Sequence, residues 1–272
     1  QFVMLPKMDN EDFNATRAYG DVLAQLKMGP RTPGSAAHDE VVTYIQNELK
    51  QAGWQVRIQN VESLGYNLQN IIATRGSGAK SVTIGAHYDC RMVADRDPNQ
   101  VLRSQPVPGA NDGASGVAVL LELARTLPEV DKQVTLVFFD LEDQGDLAGW
   151  NWSLGSQAYV DSLQSTPDAV VVIDMIGDKD LNIYRERTST QSLVDEIWSL
   201  AAEMGYGDQF LNQPKYAMLD DHTAFLQAGM NAIDIIDFDY PYWHTTSDTA
   251  DKVSAESLDI IGKVLTAWLI NE

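Results

Sequence analysis

The most constraining feature of this chain is a set of short, largely apolar runs that alternate with segments of helical periodicity. Four of these runs cover residues 81–86, 134–139, 169–173 and 231–236. Strands that are apolar on both sides are typical of a parallel sheet with helices on both faces, and helical crossovers connect such strands. The sequence therefore predicts an α/β fold with one mixed, mostly parallel central sheet between two layers of helices.

The length and uniformity of the chain indicate one domain. With 272 residues, the chain is near the upper end of the range for a single α/β domain and is long enough to bury a large core. The sequence contains no internal repeat, low-complexity tract or linker, so residues 1–272 are predicted to form one domain. Residues 1–30 are predicted to form a helical N-terminal arm that packs on the rest of it.

The charge balance restricts the partners of the protein. The chain has 39 acidic and 19 basic residues and a net charge of −20, which argues against nucleic acid or an anionic membrane as a partner. No apolar run reaches 18 residues, so no membrane-spanning helix is predicted. The acidity, together with a start at Gln1 instead of Met, predicts a secreted or periplasmic protein whose export signal has been removed. We expect it to be a monomer.

Ionisable residues stand where the predicted strands and loops end. The adjacent carboxylates Glu142 and Asp143 follow the run 134–139. Other such ends supply His87, Asp89, Asp112, Asp174 and His244. Ligands of α/β sheets bind at the carboxyl ends of the strands, and imidazoles and carboxylates are the ligands of a catalytic zinc ion. The pattern therefore predicts a zinc site at this edge of the sheet.

Taken singly, several of these residues have ordinary structural explanations. His87 can be explained as a buried histidine, Asp112 as a turn residue before a helix, and His244 as a packed loop residue. His38, near the start of a predicted helix, is predicted to be a solvated surface residue. The zinc hypothesis therefore depends on the joint position of the other residues at one sheet edge.

The sequence lacks the signatures of other common sites. Cys90 is the single cysteine, so the chain has no internal disulfide and no Cys-x-x-Cys metal motif. No Gly-x-Ser-x-Gly segment marks a serine nucleophile. Residues 109–116 are rich in glycine but lack the Lys-Ser/Thr ending of a phosphate-binding loop.

The order of the candidate residues resembles the M28 family of zinc exopeptidases. The family pattern is His-x-Asp, a Gly-x-Asn-Asp-x-x-x-Gly turn, Glu-Glu, Asp and a late His. The corresponding residues here are His87 and Asp89, Gly109 to Gly116, Glu142 and Asp143, Asp174, and His244. Similarity at residues 29–35 and 221–225 extends the resemblance over nearly the whole chain. It implies a zinc-exopeptidase fold of the phosphorylase/hydrolase type, with Asp143 replacing the usual Glu.

Within that family, several segments are more similar to glutaminyl cyclases, particularly bacterial ones. Trp243-His244-Thr245 is similar to the cyclase Trp-His-Thr, in which the tryptophan lines the pocket for the glutamine side chain. Residues 152–157 resemble a second cyclase loop that carries a pocket tryptophan, and residues 220–226 resemble the Asp-Asp-His segment. Asp234 departs from animal cyclases, which have a histidine there.

This resemblance implies a zinc-dependent glutaminyl-peptide cyclotransferase. Its substrates would be peptides or proteins with an N-terminal glutamine, which it converts to pyroglutamate with release of ammonia. One zinc ion per chain is expected. The implied residues are Asp112, Asp143 and His244 for zinc, Glu142 with Asp174 and Asp220 for catalysis, and Trp152, Trp243 and Asp234 for substrate binding.

Two alternatives remain open at this point. In a two-zinc aminopeptidase, His87 and Asp174 would hold a second metal, Asp112 would bridge both ions, and Glu142 would activate water. The ligand types do not separate the two enzymes, whereas Trp152 and Trp243 favour the cyclase. A non-catalytic M28-like binding module would have a broken ligand set, and the set in this sequence is complete.

Overall fold

The computed structural model describes residues 12–271. The helices of this part of the chain are α1 (Ala15–Met28), α2 (Ala36–Gln51), α3 (Ala114–Thr126), α4 (Leu154–Ser162), α5 (Gln191–Glu203), α6 (His222–Gln227) and α7 (Ala255–Asn271). The strands are β1 (Gln55–Ser63), β2 (Tyr66–Arg75), β3 (Ser81–His87), β4 (Gln133–Phe139), β5 (Ala169–Asp174), β6 (Ile183–Arg185), β7 (Phe210–Pro214) and β8 (Ala232–Ile236).

Six strands form the central sheet, in the order β1-β2-β4-β3-β5-β8. Strands β4, β3, β5 and β8 are parallel, whereas the β1–β2 hairpin joins the edge of β4 in antiparallel orientation. The predicted mixed, mostly parallel sheet is confirmed. A second sheet pairs β6 with β7 in parallel orientation.

Helices cover both faces of the central sheet, as predicted. Helices α1, α2, α3, α5 and α7 bury their apolar sides on one face, in a core that includes the inward side chains of β3, β4 and β5. On the other face, α4 and α6 pack over Val137, Val170 and Phe139. Both faces of these strands are buried, which explains why their sequences are continuously apolar.

The connections after β3 and β4 leave the sheet in opposite directions. Strand β3 leads to α3 on one face, and its neighbour β4 leads to α4 on the other face. Adjacent strands with diverging connections open a crevice at their carboxyl ends, which is where ligands of such sheets bind. This topology places the segments after His87 and Phe139 at one crevice.

Helix α1 lies within the predicted N-terminal arm. It packs against α3 and α7, and its N-cap Asn14 accepts a hydrogen bond from the backbone amide of Arg17. The guanidinium of Arg17 pairs with the fully buried carboxylate of Glu122 on α3 at 2.7 Å. Residues 1–11 lie outside the described residues, so the prediction of a helical arm over residues 1–30 stays a prediction for that part. None of the helices in residues 12–271 combines the length and apolar character that a membrane crossing requires.

The prediction that His38 is a solvated surface residue is wrong. Ser35 caps α2 by accepting a hydrogen bond from the amide of His38, which turns the imidazole inward, where it is 3% exposed. Its Nε2 lies 2.8 Å from Oδ1 of Asp140 and 3.2 Å from the hydroxyl of Tyr88. Asp140 also accepts a hydrogen bond from the amide of Gln69, so the network joins α2, β2, β3 and β4.

We expect His38→Asn to lower the free energy of unfolding by about 1–3 kcal/mol near pH 6, because Asp140 loses a buried partner. Burial lowers the pKa of His38, but the Asp140 carboxylate outweighs it and raises that pKa. The stabilisation that the His38–Asp140 pair provides is therefore fully present below the unfolded pKa of about 6.5, and it is lost as the pH rises through the folded pKa. Urea unfolding of the wild-type protein and of the His38→Asn variant across this pH range measures the stabilisation. Equal stabilities at pH 6 would contradict the prediction.

Candidate metal centre

The ends of three central strands bring ionisable side chains together. His87 ends β3, Asp174 ends β5, and Glu142 follows β4 by three residues. The Nε2 atom of His87 lies 3.1 Å from Oδ1 of Asp174 and 3.2 Å from Oδ1 of Asp112. All four residues are at most 8% exposed.

A kinked turn after β4 directs two carboxylates into the crevice. Leu141 has a φ of 54°, a left-handed conformation that a residue with a Cβ rarely adopts. Asp89 holds the turn, because its carboxylate accepts hydrogen bonds from the amides of Glu142 at 3.0 Å and Asp143 at 3.3 Å. The side chain of Gln144 donates a third hydrogen bond to Asp89 at 2.9 Å.

Asp112 lies on a glycine-rich loop that leads into α3. Gly109 and Gly113 have φ values of 71° and 96°, and a Cβ at Gly109 would approach the backbone oxygen of Asp112 to 2.8 Å. The buried Asp248 accepts hydrogen bonds from the amides of Asn111 at 2.9 Å and Asp112 at 3.2 Å. Sequence reasoning missed Asp248, since no motif marks an acid that holds a distant loop in place.

His244 enters the centre from the loop after β8. Its φ is 55°, and its Nε2 lies 2.8 Å from Oδ1 of Asp143 and 3.9 Å from Oδ2 of Asp112. Its other ring nitrogen, Nδ1, lies 3.4 Å from Oδ1 of Asp95. The ring therefore presents one nitrogen to the carboxylates of the centre and the other to Asp95.

Two groups of buried side chains have the donor atoms to hold a metal ion. In the described part of the chain, the potential ligand atoms of each group lie within 4.8 Å of one another, and Asp112 belongs to both. The first group is Asp112, Asp143 and His244, and the second is His87, Asp112 and Asp174.

Unpaired buried oxygens show that these donors fit a cation. The Oδ2 atoms of Asp112 and Asp143 are buried and have no hydrogen-bond partner. An isolated carboxylate in such a site is strongly disfavoured unless it is paired or coordinates a metal. Carboxylate oxygens and imidazole nitrogens are the donors of three-ligand catalytic zinc sites, so the set suits zinc.

The crowding of acids shifts the pKa values of this centre. Burial raises the pKa of Glu142 well above its ordinary range; His87 opposes the shift, while Asp220 and Asp143 add to it. Burial alone would lower the pKa of His244, but Asp143 outweighs it and raises that pKa to about 9. Negative charge thus raises the pKa of His244 and adds to the effect of burial on the pKa of Glu142, and a divalent cation would relieve this charge.

A small pocket with aromatic walls opens above the acids. It has a volume of about 180 Å³ and is lined by Trp152, Trp243, Phe238, several apolar side chains and the carboxylates of the centre. The rings of Trp152 and Trp243 stack on the imidazole of His244 at centroid distances of 5.9 Å and 3.9 Å. Asp220, predicted to act in catalysis, also lines this pocket.

Asp234 lies elsewhere than predicted from the resemblance. It is fully buried on β8, and both of its oxygens are inaccessible, so it does not reach the substrate pocket. Its Oδ2 lies 3.7 Å from Nδ1 of His222. Burial, and then the charge of Asp220, raise the pKa of Asp234 well above its ordinary range. The position of Asp234 does not support direct substrate binding, because β8 turns this side chain into the interior.

The fold and the candidate metal centre are those of an α/β enzyme of exopeptidase type, and comparisons with known proteins agree. The family model for peptidase family M28 matches residues 70–269. The chain belongs to the M28 family, as predicted.

Several relatives of known structure or activity are similar over most of the chain. A crystal structure of Tannerella forsythia glutaminyl cyclase has a TM-score of 0.91 at 32% identity and covers 96% of this chain and 99% of that one. A crystal structure of a Zn-dependent exopeptidase from Parabacteroides distasonis has a TM-score of 0.91 at 31% identity and covers 99% of this chain and 100% of that one. The glutaminyl-peptide cyclotransferase of Boiga irregularis is 28% identical over 88% of this chain and 77% of its own. The predicted resemblance to glutaminyl cyclases, including bacterial ones, is confirmed.

Proposed function

We propose that this protein is a zinc-dependent glutaminyl-peptide cyclotransferase, which converts an N-terminal glutamine to pyroglutamate and releases ammonia. The observation that carries the proposal is that Glu142 lines one tryptophan-walled pocket of about 180 Å³ together with two carboxylates of the three-donor centre. A pocket of this size suits one side chain better than an extended peptide. The similarity to glutaminyl cyclases of bacteria and snakes supports the same activity.

Asp112, Asp143 and His244 would hold the zinc ion. When bound, zinc supplies a Lewis acid that polarises the side-chain amide of the substrate. The three residues contribute two carboxylates and a neutral imidazole, whose Nε2 already lies 2.8 Å from Asp143. Asp143 is one carbon shorter than the usual family Glu, yet its carboxylate still lies 2.8 Å from Nε2 of His244.

Glu142 is the proton carrier of the proposed reaction. A C–N bond forms between the α-nitrogen of the substrate and its side-chain carbonyl carbon, and the bond from that carbon to the amide nitrogen breaks. Glu142 accepts the proton that the α-nitrogen loses and returns it to the nitrogen that leaves as ammonia. Its burial at 6% exposure and the neighbouring acids raise its proton affinity, which suits this exchange.

Asp174 and Asp220 would position the substrate amine and Glu142 through hydrogen bonds. Both carboxylates line the pocket, and Asp174 is held by His87 at 3.1 Å. Burial raises the pKa of Asp174 to about 7, with His87 opposing the shift and Asp220 adding to it. Asp234 lies next to Asp220 in the interior, so we assign it a positioning role behind Asp220 instead of a contact with substrate.

The walls of the pocket would select the glutamine side chain. Trp152 and Trp243 present flat faces against which a planar amide packs. The expected partner is therefore a peptide or protein with N-terminal glutamine. The strong net negative charge fits a monomeric enzyme that works in the periplasm or outside the cell.

A two-metal aminopeptidase is the second candidate, because His87, Asp112 and Asp174 form a further donor group. Under the cyclase proposal, the wild-type protein and the His87→Gln variant each hold one zinc ion per chain. Elemental analysis of both proteins after dialysis measures this. Two ions in the wild-type protein, falling to one in the variant, would favour the aminopeptidase.

Paired substrates test the proposed reaction. The protein is incubated with a glutamine-initiated peptide and, separately, with an aminoacyl chromogenic amide. We expect ammonia release, a peptide backbone of unchanged length and no chromophore. A freed N-terminal amino acid with little ammonia would overturn the cyclase in favour of the peptidase.

A further inference from the structure

A buried arginine, Arg91, contacts the backbone of the proposed zinc ligand Asp143. Arg91 is 2% exposed and donates from Nε and Nη2 to the two carboxylate oxygens of Asp95, at 2.8 Å and 3.0 Å. Its Nη1 donates to the backbone oxygens of Asp143 at 2.9 Å and Gly145 at 3.1 Å. A bidentate pair of this kind fixes both the position and the plane of the carboxylate.

The same carboxylate faces the proposed zinc ligand His244. Oδ1 of Asp95 lies 3.4 Å from Nδ1 of His244, an ion-pair contact that is longer than an ordinary hydrogen bond. Histidine ligands of metals characteristically direct their second nitrogen at a carboxylate, which sets the tautomer and the ring orientation. Asp95 therefore faces the nitrogen that must carry the proton when Nε2 binds a cation.

Arg91 also reaches His244 through a ring stack. Its guanidinium lies 5.0 Å from the ring centroid of Trp152, and Trp152 is stacked on the imidazole of His244 at 5.9 Å with an interplanar angle of 13°. A guanidinium over an indole is a favourable arrangement. Arg91 thus contacts the backbone of the proposed ligand Asp143. It also contacts Asp95 and Trp152, the two side chains that lie against the ring of the proposed ligand His244.

We propose that Arg91 and Asp95 are positioning residues that brace the zinc centre by fixing the ring of His244 and the backbone of Asp143. This inference rests on the proposed zinc site. The brace raises zinc affinity by holding two of the three ligands in place before the ion arrives. It differs from the contact of Asp89, which holds the turn after β4 from beyond the end of the neighbouring strand β3.

Zinc titration of the metal-free protein tests the brace without any activity assay. We expect Asp95→Asn and Arg91→Lys to weaken zinc binding by about 10–100-fold, measured by competition with a chromogenic chelator. Both substitutions nearly preserve side-chain volume, and thermal unfolding confirms that the variants are folded. The absorption spectrum of the Co²⁺-substituted protein should also change in both variants, because it reports ligand geometry.

Asp195→Asn is the matched control. Asp195 pairs with Arg185 but has a side chain that is 64% exposed, away from the centre, so zinc affinity and the Co²⁺ spectrum should stay unchanged. Wild-type affinity and spectrum in folded Asp95→Asn protein would overturn the brace while leaving the cyclase proposal intact. A wild-type protein that binds no zinc would overturn both.

Discussion

Replacing Glu142 by glutamine is expected to lower kcat/KM for a glutamine-initiated peptide by a factor of about 10²–10⁴, because general acid–base catalysis contributes that much. The amide keeps the size and shape of the carboxylate but cannot accept and return the proton. The Nδ1 atom of His87 and the hydroxyl of Ser153 lie 4.0 Å and 3.4 Å from the Glu142 carboxylate and leave it free to face the pocket. Steady-state ammonia release measures the effect.

Zinc content separates this role from metal binding. The Glu142→Gln variant should hold as much zinc as the wild-type protein, since the proposed ligands are Asp112, Asp143 and His244. A substitution of the exposed Asp131 by asparagine, far from the crevice on the loop before β4, provides the control for purification and assay. Near-normal turnover in Glu142→Gln would remove Glu142 from the mechanism.

Replacing Asp143 by alanine is expected to abolish both zinc binding and activity. The substitution removes the carboxylate that lies 2.8 Å from Nε2 of His244 and leaves only two of three ligands. Zinc that binds the folded state stabilises it by about 2.7 kcal/mol at a concentration of 100 times Kd, so added zinc should raise the Tm of the wild-type protein but not of the variant. Thermal unfolding with and without zinc measures this.

The conservative substitution Asp143→Glu tests the same assignment from the other direction. The variant carries the glutamate that is usual in the family at this position. Because its carboxylate can still reach the zinc ion, the variant should retain zinc and part of the activity. Unchanged zinc content in Asp143→Ala would show that Asp143 is not a ligand.

The sequence predicted the parts of the fold that depend on apolar periodicity. The runs at β3, β4, β5 and β8 are buried on both faces, so their apolar character is continuous and their type was recognisable. Strand β2 was not predicted, because its N-terminal half mixes asparagine and glutamine with apolar residues. The short β6 and β7 also lack a pattern long enough to show a period.

The candidate site residues were recognisable because each lies at the end of, or directly beside, an element that the sequence marks. His87 and Asp174 end apolar strands, and Asp112 precedes a helix after a glycine-rich loop. The supporting residues carry no such signal. Asp95, Asp248 and His38 act through partners that are about 100 to 150 residues away in the chain, and only the packed structure brings these pairs together.

The most direct test of the account is an anomalous difference map from crystals of the zinc-loaded protein, recorded above and below the zinc absorption edge. The account predicts one dominant peak, about 2.0–2.2 Å from a carboxylate oxygen of Asp112, a carboxylate oxygen of Asp143 and Nε2 of His244. A peak that these three side chains do not share, or no peak at the crevice, would contradict it.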